Sequence, residues 1–410
     1  MKLNKFKIFL LLVASIVGIS SIISYNSQKY SSSVNINDSK VKDNNMLSMM
    51  LETSAGSGEY KETTATSWPT DGYEFNETLS KCERGSKLSW DSTKKTVVMT
   101  GNNSDKCYVY FDKTITLVDY VKAQYTGTQG ENNLYFHDST LTNGAGDNSY
   151  RYAGSSETTN NFVCFGYDST DGTCPNDNLY RIIGVFDGEV KLIKYDYAKS
   201  TLLGTDGNYS NTYSSLMFST ASYKGNNSLS EIGIYYWNVL NQNEWSTSRL
   251  NTTNLNTNYL RNIGTKWSNK IATHTWKVGG NTTSNIYSVT ASNTYTNEIT
   301  TPAENTTYEA KVGLMYVSDY GYAASSSSWS TTLNNYNNVR ANNWMYIGLF
   351  QWTIARRSDN SNTAFYVIDG GSVDNDRVDN SYAVRPVLYL ASETVYAGGF
   401  GTASSPILIN

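Results

Sequence analysis

Apolar and polar positions alternate along most of this chain in short runs, and Gly, Asp, Asn and Ser cluster between the runs. The clearest case flanks Asp187-Gly188. Leu179-Tyr-Arg-Ile-Ile-Gly-Val-Phe186 precedes it and Glu189-Val-Lys-Leu-Ile-Lys-Tyr195 follows it. A two-residue Asp-Gly between β-branched and aromatic runs predicts a tight hairpin. Lys87–Trp90 and Thr96–Thr100 predict a second hairpin, and Cys107–Phe111 a further strand. Thr116-Leu-Val-Asp119 has the form of a capping box and predicts a short helix ending near Gly127. A second helix is expected from a cap at Ser246 or Ser248 through Leu250, Leu255, Tyr259 and Leu260 to Gly264, although its apolar spacing is only roughly helical. Ala310–Ser318 reads as a buried strand. Further strands are expected within 343–354, 364–368 and 382–390, and 369–381 reads as a Gly- and Asp-rich loop.

The N-terminus breaks this pattern. Lys2, Lys5 and Lys7 lead into Ile8–Ile23, sixteen residues without a charge. A basic segment before a short apolar run is the layout of a secretory signal, or of an N-terminal anchor if it stays uncleaved. The lysines place everything beyond Ser24 outside the cell. The C-terminus carries no apolar tail, so any anchor is expected at 8–23. The polar stretch 25–45 reads as a flexible stalk. The expected organisation is a signal or anchor over 1–24, the stalk over 25–45, a small β module over 46–115 and a larger domain over 116–410. The fold class is α+β and β-rich.

Composition sharpens the functional reading. The 410 residues include 33 Tyr and 9 Trp but only 2 His, and charged residues make up 17%. Polarity therefore comes from Asn, Ser and Thr, the residues that together with Tyr make adaptable binding faces. A net charge of −4 and the lack of a basic stripe exclude nucleic acid as a partner. Two histidines leave little material for acid–base chemistry near neutrality. Four cysteines fall as two local pairs, Cys82/Cys107 and Cys164/Cys174, which in an exported chain read as disulfides. Neither pair has the spacing of a zinc site.

Several stretches carry a resemblance: Asp147-Asn-Ser-Tyr-Arg-Tyr152, Asn160-Asn-Phe-Val163, Asn178–Phe186, Val312–Tyr322 and Ala383-Val-Arg-Pro386. They are similar to secreted proteins of low-GC gut bacteria. The order of a Trp-rich strand, Arg356-Arg-Ser, a strand ending in Asp369-Gly-Gly, then Val-Arg-Pro and a closing strand resembles the C-terminal half of bacterial C-type-lectin-like domains. The formylglycine-generating enzymes and the variable proteins of diversity-generating retroelements share that fold. The resemblance covers about 116–410. It implies a loop-rich α+β domain with a ligand surface on its last strands. Catalysis does not carry over, because those enzymes use a late cysteine pair and no Cys follows Cys174 here.

The candidate site follows from these readings. Trp344, Tyr346 and Trp352 are rings that could stack on a sugar or peptide, or serve as core. Arg356 and Arg357 could receive an anionic group, or lock loops to carboxylates such as Asp319 or Asp369; Arg385, inside an apolar strand, reads as structural. The resemblance places Asn360, Asn362, Asn375 and Asn380 where variable ligand contacts would stand. Asp374, Asp376 and Asp379 offer oxygens for Ca²⁺ but lack the Gly and the distal Glu of an EF-hand loop. The expected function is a cell-surface or secreted binding or adhesive protein for a glycan or protein ligand. The alternatives are a secreted carbohydrate-active enzyme and a non-catalytic structural component of the envelope.

Overall fold

The computed structural model describes residues 47–410 apart from 70–71, 103, 170–171 and 213–221, together with the backbone of 33–35. The expected signal or anchor lies outside the described residues, as does the stalk except for that short strand. Among the described residues no helix is long and apolar enough to cross a membrane. The protein is β-rich, with several sheets, and divides into two compact units, Met1–Ile115 and Thr116–Asn410.

The first unit contains β1 (Ser33–Asn35), β2 (Leu47–Glu52), β3 (Tyr60–Glu62), β4 (Tyr73–Cys82), β5 (Lys87–Asp91), β6 (Thr96–Thr100) and β7 (Cys107–Lys113). They form two sheets, ordered β1-β6-β5 and β3-β2-β7-β4. The expected hairpin is β5–β6. The expected third strand, β7, joins the other sheet, parallel to β2 and antiparallel to β4. Cys82 and Cys107 stand opposite each other in that pairing and are disulfide-bonded. Met49, Leu88, Val97, Met99, Val109 and Phe111 fill the core, so inward positions of both sheets share one apolar cluster.

The second unit opens with α1 (Leu117–Ala123). Its cap is the predicted one, with the Asp119 N–H donating to Thr116 Oγ1 at 3.0 Å. Then follow β8 (Leu134–His137), β9 (Ser149–Tyr152), β10 (Phe162–Cys164), β11 (Leu179–Phe186), β12 (Glu189–Lys194), β13 (Tyr209–Ser210), β14 (Ile234–Tyr236), β15 (His274–Lys277), β16 (Thr307–Ala310), β17 (Val312–Gly313), α2 (Val317–Tyr322), β18 (Gln351–Arg356), β19 (Thr363–Val367), β20 (Val373–Arg377), β21 (Ser381–Ala383) and β22 (Val387–Leu390). One sheet runs β17-β22-β12-β11-β9-β8, with β10 also pairing β11; a second runs β13-β14-β21-β18-β19-β20. β11 and β12 are joined by the predicted turn, in which Asp187 and Gly188 both have positive φ, 49° and 83°. That is the conformation in which the turn's twist matches the strands. Cys164 and Cys174 are bonded, so all four cysteines are paired. Two disulfides indicate folding in an oxidising compartment.

Four expectations change. The strand expected over Ala310–Ser318 stops at Gly313, and its second half turns into α2. The cause is long-range: Glu298 accepts the Val317 and Ser318 N–H groups, and Asp319 accepts that of Tyr316, so the donors left free at a helix start are satisfied. In the Trp-rich stretch only 351–356 is strand, because the Asn343 side chain accepts the Met345 N–H and holds a turn there. The helix after Ser248 is a π-helix over Leu250–Tyr259, whose wider turn buries Leu250, Leu255 and Tyr259 together, and Leu260 lies beyond it in a short α-helical turn. Finally, the loop expected over 369–381 contains strand β20, whose register against β19 is continuous from Thr363↔Arg377 to Val367↔Val373.

The Cys82–Cys107 bond closes a loop of 25 residues within the first unit. Replacing both cysteines by Ser is expected to destabilise that unit by about 3 kcal/mol on the chain-entropy account. In guanidinium unfolding, its transition should move to lower denaturant while that of the second unit stays in place.

Candidate functional site

The sequence-selected rings are internal. Trp344 and Trp352 have no exposed surface and Tyr346 keeps 4%. The Trp344 indole donates to the Tyr152 carbonyl at 2.8 Å, and that of Trp352 to the Tyr235 carbonyl at 2.9 Å. The Tyr346 hydroxyl donates to the Asp369 carbonyl. These three side chains hold sheets and loops together and do not offer a stacking platform to solvent.

Arg356 is buried and pairs with Glu244 and Glu304, and Arg357 pairs with Asp359 at 2.8 Å. Both lock loops to carboxylates, although to others than Asp319 or Asp369. Arg385 has no exposed surface and donates to the Lys194 and Met345 carbonyls at 2.8 and 2.7 Å, a structural role. Asn360 caps its own loop, accepting from the Asn362 N–H and the Thr363 hydroxyl. Asn375 is bonded to Tyr287 and Arg357, and Asn380 donates its N–H to the Arg377 carbonyl. Asp374 accepts from Tyr287, Asp376 from Tyr382, and Asp379 from Arg377. The three carboxylates thus serve three different partners. Among the described residues no group of three or more His, Cys, Asp or Glu side chains is placed to hold a metal ion.

The structure draws other residues together. A cavity of about 360 Å³ opens beside the β11–β12 turn. The turn and β12 supply Phe186, Asp187 and Lys191; β9 and the residues before it supply Asp147, Ser149 and Arg151. Tyr389 comes from β22, His274, Thr275 and Lys277 from β15 and its edge, and Tyr316, Ser318 and Asp319 from the start of α2. Tyr295 and Ile299 close the side.

Charge is concentrated at its floor. Lys191 Nζ lies 2.6 Å from Asp319 Oδ2, with the two side chains 1% and 2% exposed. Arg151 lies 2.5 Å from Asp147 and 4.0 Å from Asp319 Oδ1. Aromatic faces surround both cations: Phe186, Tyr316 and Tyr389 lie around Lys191, and Phe186, Tyr295 and Tyr322 around Arg151. Burial pulls the Lys191 ammonium below its usual range, against the opposing pull of Asp319. Burial would raise Asp147, but the Arg151 guanidinium and the Ser149 hydroxyl outweigh it and hold the carboxyl well below the usual range. Behind the floor, burial pushes Glu298 up to about 7, in spite of its two backbone donors.

His274 stacks on Tyr389 with ring centres 3.7 Å apart. Its Nδ1 lies 3.5 Å from Glu189, yet burial and the nearby Lys191 bring its pKa down to about 4. The contact is therefore between a neutral imidazole and a carboxylate at neutral pH, and the desolvated ring decides its charge state.

Sequence reasoning passed over these groups for a physical reason. Lys191 stands in an alternating strand, where a lysine reads as the solvent face; here the sheet is covered on that side too. The available signals were Asp319 in the run Val312–Tyr322 and Asp147 and Arg151 in the stretch Asp147–Tyr152, which nothing in the sequence ties to Lys191. No family model, curated protein or solved structure matches the chain.

Two outcomes test this description. Trp352→Ala is expected to destabilise by about 3–5 kcal/mol, the cost of an internal cavity, read as a fall in the thermal midpoint. His274→Phe keeps the stack and removes the titration. In the native protein His274 stays neutral down to about 4 while the unfolded chain takes up a proton below the ordinary histidine value. The native chain therefore loses stability relative to the variant as pH falls from about 6.5 to about 4, by up to roughly 3 kcal/mol. Denaturant midpoints of the two proteins across that range measure it. Other titrating groups are common to both proteins and cancel.

Proposed function

We propose that the protein is an exported binding protein, secreted or held at the cell surface through 8–23, whose ligand seat is the cavity beside Lys191. The observation that carries this reading is the lining itself. Phe186, Tyr295, Tyr316 and Tyr389 supply aromatic surface, and Arg151, Asp147 and Asp187 supply planar charged groups around the same space. Rings take up the apolar faces of a sugar, while forked donors and carboxylates fix its hydroxyls. An extracellular glycan therefore fits best, and a protein side chain presented at the mouth is the other ligand of this chemistry. The two disulfides agree with an extracellular location. The C-type-lectin-like reading of the second unit belongs to the same proposal: a loop-rich unit of several sheets, carried outward on a stalk.

One observation favours a second reading, a secreted carbohydrate-active enzyme. Glu298 is raised to about 7 while Asp147 is held low, and carboxyls driven apart in this way divide acid and base roles. Against it, both Glu298 oxygens are occupied by backbone N–H groups and the side chain does not line the cavity.

The test is a glycan-array and mucin-binding screen with the purified chain, run with and without EDTA. Saturable binding weakened about tenfold by Tyr295→Ala or Lys277→Ala, with unfolding unchanged, is the expected result. Release of reducing ends would instead establish the enzyme. Binding that ignores both substitutions would move the ligand away from this cavity.

A further inference from the structure

An amine and a carboxylate held together away from water are the two halves of an amide. Lys191 Nζ stands 2.6 Å from Asp319 Oδ2, and both side chains are almost fully enclosed. Neither is free to swing away. Lys191 sits inside β12, paired on both sides by β11 and β22, and Asp319 is fixed in the first turn of α2 by the Tyr316 N–H on Oδ2 at 2.9 Å. A nitrogen at hydrogen-bond distance from a carboxylate oxygen stands about 3–3.5 Å from its carbon, the separation of a near-attack pair. Phe186, Trp276, Tyr316 and Tyr389 enclose the nitrogen. Glu298, 3% exposed, takes the N–H groups of Val317 and Ser318 and so fixes the turn that carries Asp319.

We propose that Lys191 and Asp319 condense to an intramolecular isopeptide bond. The Lys191 ammonium passes one proton along its hydrogen bond to Asp319 Oδ2, and the resulting amine attacks Cγ of the neutral carboxyl. The N–Cγ bond forms, and the electron pair of the carbonyl moves onto Oδ1, which faces the Arg151 guanidinium at 4.0 Å. Collapse of that centre breaks the Cγ–Oδ2 bond. Oδ2, already carrying the first proton, takes a second from the nitrogen and leaves as water, and the third ammonium proton stays as the amide N–H. No electron is transferred to or from an outside partner, and one water is lost. Burial lowers the ammonium of Lys191, which favours the neutral pair from which the step starts. The bond would turn two charged groups of the cavity lining into one amide and leave the neighbouring Arg151–Asp147 pair intact.

Intact-mass measurement of the full chain, with its disulfides in place, tests the proposal. The expected mass lies one water below that of the disulfide-bonded chain, and proteolysis yields a branched peptide joining the Lys191 segment to the Asp319 segment. Lys191→Arg is expected to restore the lost water while both disulfides persist. A native chain that has lost no water overturns the bond. So does a water lost elsewhere, for example as a succinimide at Asp187-Gly188. The native protein alone decides whether the bond exists, so a variant that fails to fold does not blunt the test.

Discussion

The second unit closes over a lysine and an aspartate side chain held in direct contact and almost wholly buried. Bringing each ion out of solvent costs several kcal/mol, and only dense local compensation makes such a pair tolerable. Here Asp319 has Lys191, Arg151 and a backbone N–H, and Lys191 lies among aromatic faces. The compensation comes from four separate elements: β12, β9, β22 and α2. The pair therefore acts as a condition on assembly, because none of those elements can shift without stripping partners from a buried charge. Tyr316 extends the coupling, its hydroxyl accepting the Lys277 N–H at 2.7 Å and so tying the start of α2 to β15.

What the sequence made legible was local. Hairpins at Asp187-Gly188 and between Trp90 and Thr96, the cap at Thr116 and the cysteine pairs follow from neighbours a few residues apart. What stayed hidden depends on residues far apart in the chain. Glu298 decides that the helix starts at Val317, although Val317 and Ser318 read as the end of a strand. Lys191 reads as surface until β22 and α2 are known to cover it. The aromatic cluster Trp344, Tyr346 and Trp352 was visible, but hydrophobic bulk does not reveal on which side of a fold it lies.

The abundance of asparagine has an unexpected location. Asn208, Asn251, Asn254 and Asn258 are buried, and their amides do the work of backbone. Asn254 and Asn258 both donate to the Leu203 carbonyl, and Asn256 exchanges two bonds with the Val312 peptide unit, as a neighbouring strand would. A wide-turned helix of ten residues is thereby stitched to loops that have no ladder of their own. Polar composition here measures how much irregular backbone must be satisfied inside, as well as what faces a ligand.

β20 closes one side of the second sheet, and among the described residues its one strand partner is β19. An outermost strand offers backbone groups to any extended chain, and here the Asn375 N–H is already taken by the Tyr287 hydroxyl. Asp374, Asp376 and Arg377 occupy that strand, with two of the three tied to tyrosines of their own molecule. A foreign strand seeking to add itself there would have to dehydrate fixed charges for every few backbone bonds gained. The fixed charges on this strand thus work against edge-to-edge pairing.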